Sequence, residues 1–323
     1  MARSEPRRHH ILPVFFLAGF TDTGQRTGKL HVHDYFRNRR YRAGPVDVAN
    51  ERDFYRVYEP NEDPFVVEKD LARLEAMLSA VLRRVVAAGA ISGRNDLGAV
   101  LSFVALTHAR GRKGRERLSK SMQQTMAEKL RAGLVTAAQW EAMTEAEVRA
   151  GVPRESIPSL AEAKRLVWIT EWQPEAPEVL KTGLIGEVQD ILLPSLEART
   201  WSLAKASPDS GGFICSDSPL QWGARDPWDR ENAHARIDDV TQPITFPLTK
   251  DLALITRDDG RPGTYLAVPH VVAWVNARTH LGSLGVIYSS SEDFLLLRAD
   301  GLGHGLDYFA YVEEMRRRGV VNP

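Results

Sequence analysis

The sequence predicts an α+β fold, in which a helical middle region caps a mixed β-sheet formed by the N- and C-terminal segments. Extended stretches with alternating apolar residues lie near both ends of the chain, and helical periodicity fills the middle. Short strands cannot bury a face alone, so the strands before residue 60 are expected to pair with, or pack on, those after residue 213. We therefore predict one composite domain over residues 1–323. It comprises an N-terminal β segment (1–60), a helical region (61–206) and an α+β region (207–323).

The N-terminal segment is predicted to contain a short helix followed by strands. Residues 1–8 form a basic tail, and Pro13 suits the first turn of a helix whose apolar side chains face inward. Residues 29–36 alternate in polarity, which indicates a strand, and residues 37–42 are predicted to be a basic loop. Further extended pieces are expected at 46–51 and 54–58.

The middle region reads as a series of helices. Residues 68–88 carry apolar side chains at the spacing of an amphipathic helix, and the next helix is almost wholly apolar up to residue 106. Because this helix is almost wholly apolar, we expect it to lie at the centre of the fold. Predicted segments are a helix to about 110, a basic turn at 110–117, helices at 118–132, 137–150 and 160–170, and a long helix at 178–204 kinked by Pro194.

The C-terminal region centres on a short apolar strand, Phe213–Ser216, that ends abruptly in Asp217, Ser218 and Pro219. Residues 223–242 are polar and are predicted to be a surface excursion. The remaining predicted elements are strands at 244–248 and 252–256, a helix at 269–282, a strand at 284–289 and a closing helix at 305–318.

Composition restricts the class of protein. Lys and Arg together number 42, as do Asp and Glu, so no whole-protein basic field for nucleic acid exists, although a local patch is allowed. The single cysteine, Cys215, rules out internal disulfides, and we expect its thiol to be buried. No apolar run is long enough to span a bilayer, and the N-terminus is a poor signal peptide. We expect a cytoplasmic protein without a membrane partner.

Strong catalytic motifs are absent from the sequence. It contains no P-loop, no His-Glu-x-x-His, no paired Cys-x-x-Cys and no Gly-x-Ser-x-Gly. These absences argue against P-loop NTPases, zincin proteases, zinc fingers and typical α/β-hydrolases.

Four residues are candidates for chemistry. Asp217 follows a core strand, where the backbone can hold its carboxylate rigidly, and we assign it a catalytic and metal-binding role. His10 and Glu51 are the further catalytic candidates. Glu75, on the apolar seam of a helix, is the second candidate metal ligand, and an ion pair with an arginine is the alternative explanation for its position. Hard cations such as Mg²⁺ or Mn²⁺ take such oxygen ligands. We expect Asp217→Asn to fold normally but to lose activity or metal binding.

A second group is predicted to bind substrate. Arg110 and Arg112 open the basic turn, and guanidinium groups clamp phosphates bidentately. Ser216 lies at the end of the core strand, and Asn276 is a polar residue within an otherwise apolar helix. A nucleotide or a nucleic acid is the partner that these residue types suggest, whereas a protein partner cannot be named from the sequence.

Several stretches resemble a bacterial domain-of-unknown-function family. Residues 9–20 match its opening His-x-x-Pro-x-x-x-Leu-x-x-Phe, and residues 213–219 match its later Phe-Ile-x-Ser-Asp-x-Pro. Residues 30–34 and 49–55 are similar to its first strand and its Ala-x-Glu-x-x-Phe-Tyr segment. Many relatives have Asn where this chain has Ser218. The resemblance implies an intracellular bacterial protein, with some members associated with defence against phage, and it implies no reaction.

Two hypotheses of function remain open at this point. In the first, the protein is a metal-dependent nuclease or phosphohydrolase, and His10, Glu51, Glu75 and Asp217 converge in a solvent-open cleft. In the second, the same residues form a sealed polar network in a non-catalytic binding or sensing module. The spatial arrangement of the carboxylates distinguishes the two.

Overall fold

The computed structural model describes residues 8–35, 37–52, 66–149, 151–169, 186–229, 236–256, 260–305 and 307. Within these ranges the fold is α+β, as the sequence predicts. The helices are α1 (Val14–Ala18), α2 (Val66–Ala88), α3 (Arg94–Arg110), α4 (Arg112–Arg131), α5 (Ala137–Arg149), α6 (Leu160–Ile169), α7 (Leu193–Glu197) and α8 (Pro269–Leu281).

The strands are short and come from both ends of the chain. They are β1 (Arg8–His10), β2 (Leu30–Asp34), β3 (Arg39–Ala43), β4 (Asn50–Arg52), β5 (Trp201–Lys205), β6 (Cys215–Ser216), β7 (Gln221–Trp222), β8 (Ile244–Thr249), β9 (Leu252–Thr256), β10 (Gly263–Leu266), β11 (Val286–Ser289), β12 (Leu295–Arg298) and β13 (Gly301–His304).

One sheet joins the two ends of the chain. Its strand order is β3-β2-β11-β6, and all its pairs are antiparallel. The N-terminal strand β2 thus pairs with β11, which in turn pairs with the strand that ends in Ser216, as the sequence predicts. The prediction of a basic loop at 37–42 is wrong from residue 39 onward, because Arg39, Arg40 and Arg42 belong to β3, an exposed edge strand on which charged side chains are tolerated.

A second sheet belongs to the C-terminal half alone. Its order is β10-β5-β9-β8-β7, with a parallel β10–β5 pair. The strands therefore form two principal sheets rather than the single mixed sheet that we predicted. The expected helix to residue 204 is also wrong, because α7 ends at Glu197 and Trp201–Lys205 is a strand. Pairing with β9 and burial outweigh the helical preference of Leu, Ala and Lys in this strand.

The predicted basic turn at 110–117 is in fact the start of a helix. Gly111 has an extended backbone that interrupts the helical path for one residue, and α4 begins at Arg112. Arg, Lys and Glu are good helix formers, so this charged segment continues as helix. The result is a sharp corner between α3 and α4.

The principal core contains side chains from all three predicted segments. The ring of Phe16 in α1 lies 5.4 Å from that of Phe103 in α3 and 5.4 Å from that of Phe246 in β8. All three side chains are fully buried. Aromatic contacts of this kind are worth about 1 kcal/mol each beyond the burial of their area. The central position predicted for the apolar helix is therefore correct.

Some predictions fall outside the described residues. They concern the extended piece at 54–58, the start of the helix predicted at 178 and most of the closing helix at 305–318. In the described part of the helix predicted at 178–204, a π-helical turn, Glu187–Leu192, precedes α7. Pro194 lies just after this turn, and proline is a known cause of such distortion. In the part of the chain that the structure describes, every helix is too short or too polar to cross a lipid bilayer.

Candidate functional site

The corner between α3 and α4 gathers several of the residues singled out from the sequence. Arg110, the last residue of α3, is buried. Its guanidinium forms an ion pair with Glu75 of α2 and donates a hydrogen bond to the backbone carbonyl of His10. Arg110 therefore ties the N-terminal strand and α2 to the central helix.

Arg112 binds the second glutamate. Its guanidinium forms an ion pair with Glu51 of β4. In the β1–β4 pair Glu51 lies opposite His9, whereas His10 lies opposite Asn50. Because successive side chains of a strand alternate in direction, His10 and Glu51 point to opposite faces of the β1–β4 pair.

The side chain of His10 is half-buried. Burial is the main cause of its lowered pKa.

The Asp217 carboxylate, which directly follows β6, connects the end of this strand to the start of β11 by hydrogen bonds. One oxygen accepts a hydrogen bond from the backbone N–H of Leu284 at 2.7 Å, and the other accepts one from Val286 at 3.2 Å. Burial raises the pKa of this carboxyl to about 6, against the opposing effects of these two bonds and of the nearby Lys113 and Arg112. Both oxygens thus hold the chain in place.

Ser216 and Asn276 lie inside the protein. Both side chains are fully buried, and the Ser216 hydroxyl accepts a hydrogen bond from the backbone N–H of Ser218. The amide of Asn276 donates to two backbone carbonyls, those of Gly212 and Leu295. The predicted substrate contact of Ser216 and Asn276 has no support in this arrangement, because neither side chain reaches the surface.

The predicted metal ligands Glu75 and Asp217 both have partners within the protein. Among the residues that the structure describes, no group of three or more His, Cys, Asp or Glu side chains is placed to hold a metal ion. Glu75 is engaged by Arg110, and the oxygens of Asp217 are engaged by backbone N–H groups. The carboxylates of Glu51, Glu75 and Asp217 therefore lie around one corner of the fold, and each is bound by an arginine or by backbone N–H groups.

A cavity of about 530 Å³ opens beside this corner. Its walls come from the α3–α4 junction, from β7 and the loop that follows it, and from the C-terminal end of α8. The lining residues are His108, Lys113, Leu220, Gln221, Trp222, Gly223, Ala224, Asp226, Pro227, Trp228, Asp229, Arg278, Leu281 and Gly282.

His108 is the most unusual group in the cavity wall. Its side chain is only 5% exposed, and its ring meets that of Trp222 edge-on at a centroid distance of 5.1 Å. No described protein atom forms a hydrogen bond with its Nε2 atom. Burial, with smaller contributions from Arg117 and Lys113, lowers the pKa of His108 to about 3. The imidazole is therefore neutral at pH 7, with one nitrogen unused by the fold.

Two cations and two carboxylates also line the cavity. The guanidinium of Arg278 is buried and donates to the carbonyls of Ala224 and Pro243, so it fixes the loop after β7. The ammonium of Lys113 donates to the carbonyl of Gly282, and burial lowers its pKa. Asp226, which is exposed, stands where the cavity meets solvent.

Comparison with known proteins identifies the family. A family model described as a protein of unknown function, DUF4238, matches residues 8–293 of the chain. The chain belongs to the DUF4238 family. No curated protein and no solved structure matches it. The description of the family names no reaction, and the function is therefore argued from the geometry of the site.

Sequence reasoning missed the residues that line the cavity. The pattern predicts a helix to about residue 110 but assigns no role to His108 within it, and it predicts a surface excursion at residues 223–242. One signal was present, because Trp222 and Trp228 are large aromatic residues beside or within a polar stretch, and tryptophan is enriched at binding interfaces. The convergence of three segments that lie far apart along the chain gave no such signal.

Proposed function

We propose that this member of the DUF4238 family is a non-catalytic binding or sensing module. In this proposal a buried polar network joins the N-terminal, helical and C-terminal parts, and the cavity at the α3–α4 corner takes up the ligand. The proposal rests on the bonds that the candidate carboxylates already make within the protein. Both oxygens of Asp217 accept backbone hydrogen bonds, and Glu75 and Glu51 are paired with arginines.

The chemistry of general bases and metal ligands explains why this state matters. A general base must offer a lone pair to a substrate proton, and a metal-binding carboxylate must offer one to the cation. Breaking the buried Arg110–Glu75 pair to free the glutamate would leave a charge uncompensated, which costs about 3–5 kcal/mol. If Glu75 and Asp217 instead stabilise the fold, their observed partners can stay in place and no ion pair has to be broken.

A metal-dependent nuclease or phosphohydrolase acting in phage defence is the second candidate. One observation favours it: Arg112 and Lys113 both lie close enough to Asp217 to lower its pKa. A carboxyl that titrates near pH 6 beside two cations suits proton transfer to or from a bound phosphate ester.

An activity screen separates the two candidates. The purified chain is incubated with labelled DNA, RNA and nucleoside triphosphates, with and without Mg²⁺ or Mn²⁺, and in parallel is screened for thermal stabilisation by a library of small molecules. We expect no turnover and at least one stabilising compound. Metal-dependent turnover that Asp217→Asn abolishes in a folded protein, and that the control Asp209→Asn retains, would overturn the proposal. Asp209 is an exposed aspartate outside the network, which makes it a suitable control.

A further inference from the structure

We infer that the ligand of the cavity is a small molecule with a flat aromatic ring joined to a single anionic group. A nucleoside monophosphate is the best-matched example of this class. The inference rests on the proposed binding function, and it deepens that proposal by naming the chemistry of the ligand.

The aromatic part of the ligand is matched by two fixed tryptophans. The indole N–H of Trp228 donates to the backbone carbonyl of Leu297 at 3.1 Å. Trp222 contacts the edge of His108, and the Arg117 guanidinium lies over its ring at 5.8 Å. Both indoles line the cavity while other groups hold their orientation. Fixed aromatic faces bind a planar ring at low entropic cost, and stacking on a base contributes about 1–3 kcal/mol.

The polar anchors are His108 and Lys113, which stand at the same wall. The Nε2 atom of His108 has no hydrogen-bond partner in the described chain, and a buried nitrogen left without one costs about 1–3 kcal/mol. A hydrogen bond between Nε2 and a polar atom of the ligand recovers this free energy. The ammonium of Lys113 gives one N–H to the carbonyl of Gly282 and keeps donors for an anion.

The charges of the lining restrict the ligand to a single anionic group. Of the two cations in the lining, the Arg278 guanidinium is committed to backbone carbonyls, and Lys113 is the one placed to meet an anion. One cation therefore remains for the ligand, which is a poor match for a polyphosphate. The exposed carboxylate of Asp226, which accepts a hydrogen bond from the backbone N–H of Trp228 through Oδ1, suits a ligand hydroxyl group, such as that of a ribose, as a further hydrogen-bond donor. A volume of about 530 Å³ is typical of sites for molecules of this size.

Calorimetric titration of the full chain tests the inference. The probes are AMP and indole-3-acetate, each of which joins an aromatic ring to one anionic group. The anionic group is a phosphate in AMP and a carboxylate in indole-3-acetate. Adenosine lacks the anion, inorganic phosphate lacks the ring, and ATP adds charge. We expect at least one of the first two to bind, and each of the other three to bind about tenfold more weakly or worse, which corresponds to about 1.4 kcal/mol. Tighter binding of ATP or of inorganic phosphate would overturn the inference.

Variants at the two anchors decide whether binding occurs in this cavity. His108→Phe keeps a ring against Trp222 but removes the unpaired nitrogen, so we expect an unchanged or higher melting temperature and affinity reduced about tenfold. A merely structural histidine would give the opposite result, lower stability with unchanged affinity. His270→Phe, at an exposed position outside the cavity, is the matched control. Lys113→Gln keeps a donor for Gly282 and should reduce the affinity for AMP to that for adenosine.

The failure of this inference is distinguishable from the failure of the proposed function. Suppose that none of the ring-bearing anions binds, but that another class of compound stabilises the protein and His108→Phe abolishes that effect. The ligand class is then wrong and the binding function stands. If the chain instead turns over a substrate through Asp217, the proposed function itself is wrong.

Discussion

The side-chain oxygen of Asn276 accepts a hydrogen bond from the backbone N–H of Ile214 at 3.0 Å, across a sequence separation of 62 residues. The amide nitrogen of the same side chain donates to the carbonyls of Gly212 and Leu295 at 3.0 and 2.9 Å. One buried amide therefore fixes helix α8 to the segment entering β6 and to β12. An asparagine within an apolar helix is explained by this arrangement.

Asn276→Ala is expected to lower the free energy of unfolding by about 3 kcal/mol or more. The truncation leaves one N–H and two carbonyls of the backbone without partners, and each unsatisfied buried group costs about 1–3 kcal/mol. Urea denaturation measures the change. Asn95→Ala, at an exposed position in the first turn of α3, is the control and should change stability by no more than about 0.5 kcal/mol. Equal effects at the two positions would show that the amide contributes nothing special.

Gly114→Ala and Gly98→Ala are expected to change stability in opposite directions. A methyl group at Gly114 would meet the carbonyl of His108 and would lie 2.7 Å from that of Ala109, so α4 would have to move away from α3. We expect a loss of about 1–3 kcal/mol, typical of overpacking. At Gly98 nothing lies within 4 Å, and alanine should stabilise α3 by about 0.5–1 kcal/mol. Thermal melts of the two variants are the measurement, and a Gly114→Ala protein as stable as wild type would contradict the close packing.

Asp217 should make stability depend on pH below neutrality. Its folded pKa of about 6 is above the ordinary value of 3.8, so between these values the folded chain holds a proton that the unfolded chain releases. Stability contributed by this group is therefore complete below about pH 4 and falls as the pH rises to about 6, by up to about 3 kcal/mol. Asp217→Asn cannot titrate, so the stability of wild type relative to this variant should decline across the window.

The same variant revises an expectation drawn from the sequence. We expected asparagine to replace Asp217 in a turn with little change in stability, but both oxygens of Asp217 accept backbone N–H groups. An amide supplies one acceptor and sets an NH₂ group against the other N–H. This mismatch adds a pH-independent offset between the two proteins. Denaturation at pH 4, 5, 6 and 7 separates the offset from the titration, and a constant difference across the series would contradict the raised pKa.

Cys215 is expected to react slowly with thiol reagents in the folded protein. Its side chain is 0% exposed, as the sequence predicts for a residue within a core strand, and burial raises the pKa of the thiol. Both effects deplete the reactive thiolate. Labelling followed by mass spectrometry should be complete in denaturant and slow without it. Rapid stoichiometric labelling of the native chain would place the thiol at an accessible site.

The parts of the fold that sequence predicted well are those with a local physical signal. The apolar spacing around Val85 and the run near Phe103 indicate helices without reference to the rest of the chain, and both helices are present. Trp201–Lys205 was misassigned because its residues favour a helix, and only pairing with a strand 50 residues later makes it extended. Propensity carries no information about such a partner.

The site was harder to predict than the fold. The sequence showed that His10, Glu51, Glu75 and Asp217 are residues able to perform chemistry, but it did not show which groups would neutralise them. Their arginine and backbone partners are set by tertiary packing. The cavity depends on the same packing, since the residues around His108, Trp222 and Arg278 meet only in the folded chain.

The position of β11 between β2 and β6 has a consequence for how the protein is made. During synthesis β2 and its hairpin partner β3 leave the ribosome early, whereas Val286–Ser289 follows about 250 residues later. At about 5–20 residues per second, the N-terminal hairpin waits on the order of 10 to 50 seconds for the strand that covers its edge. A nascent chain carries an unpaired strand edge during this interval, which exposes it to pairing with other chains. Chaperone demand during translation should therefore fall sharply once residue 289 has emerged.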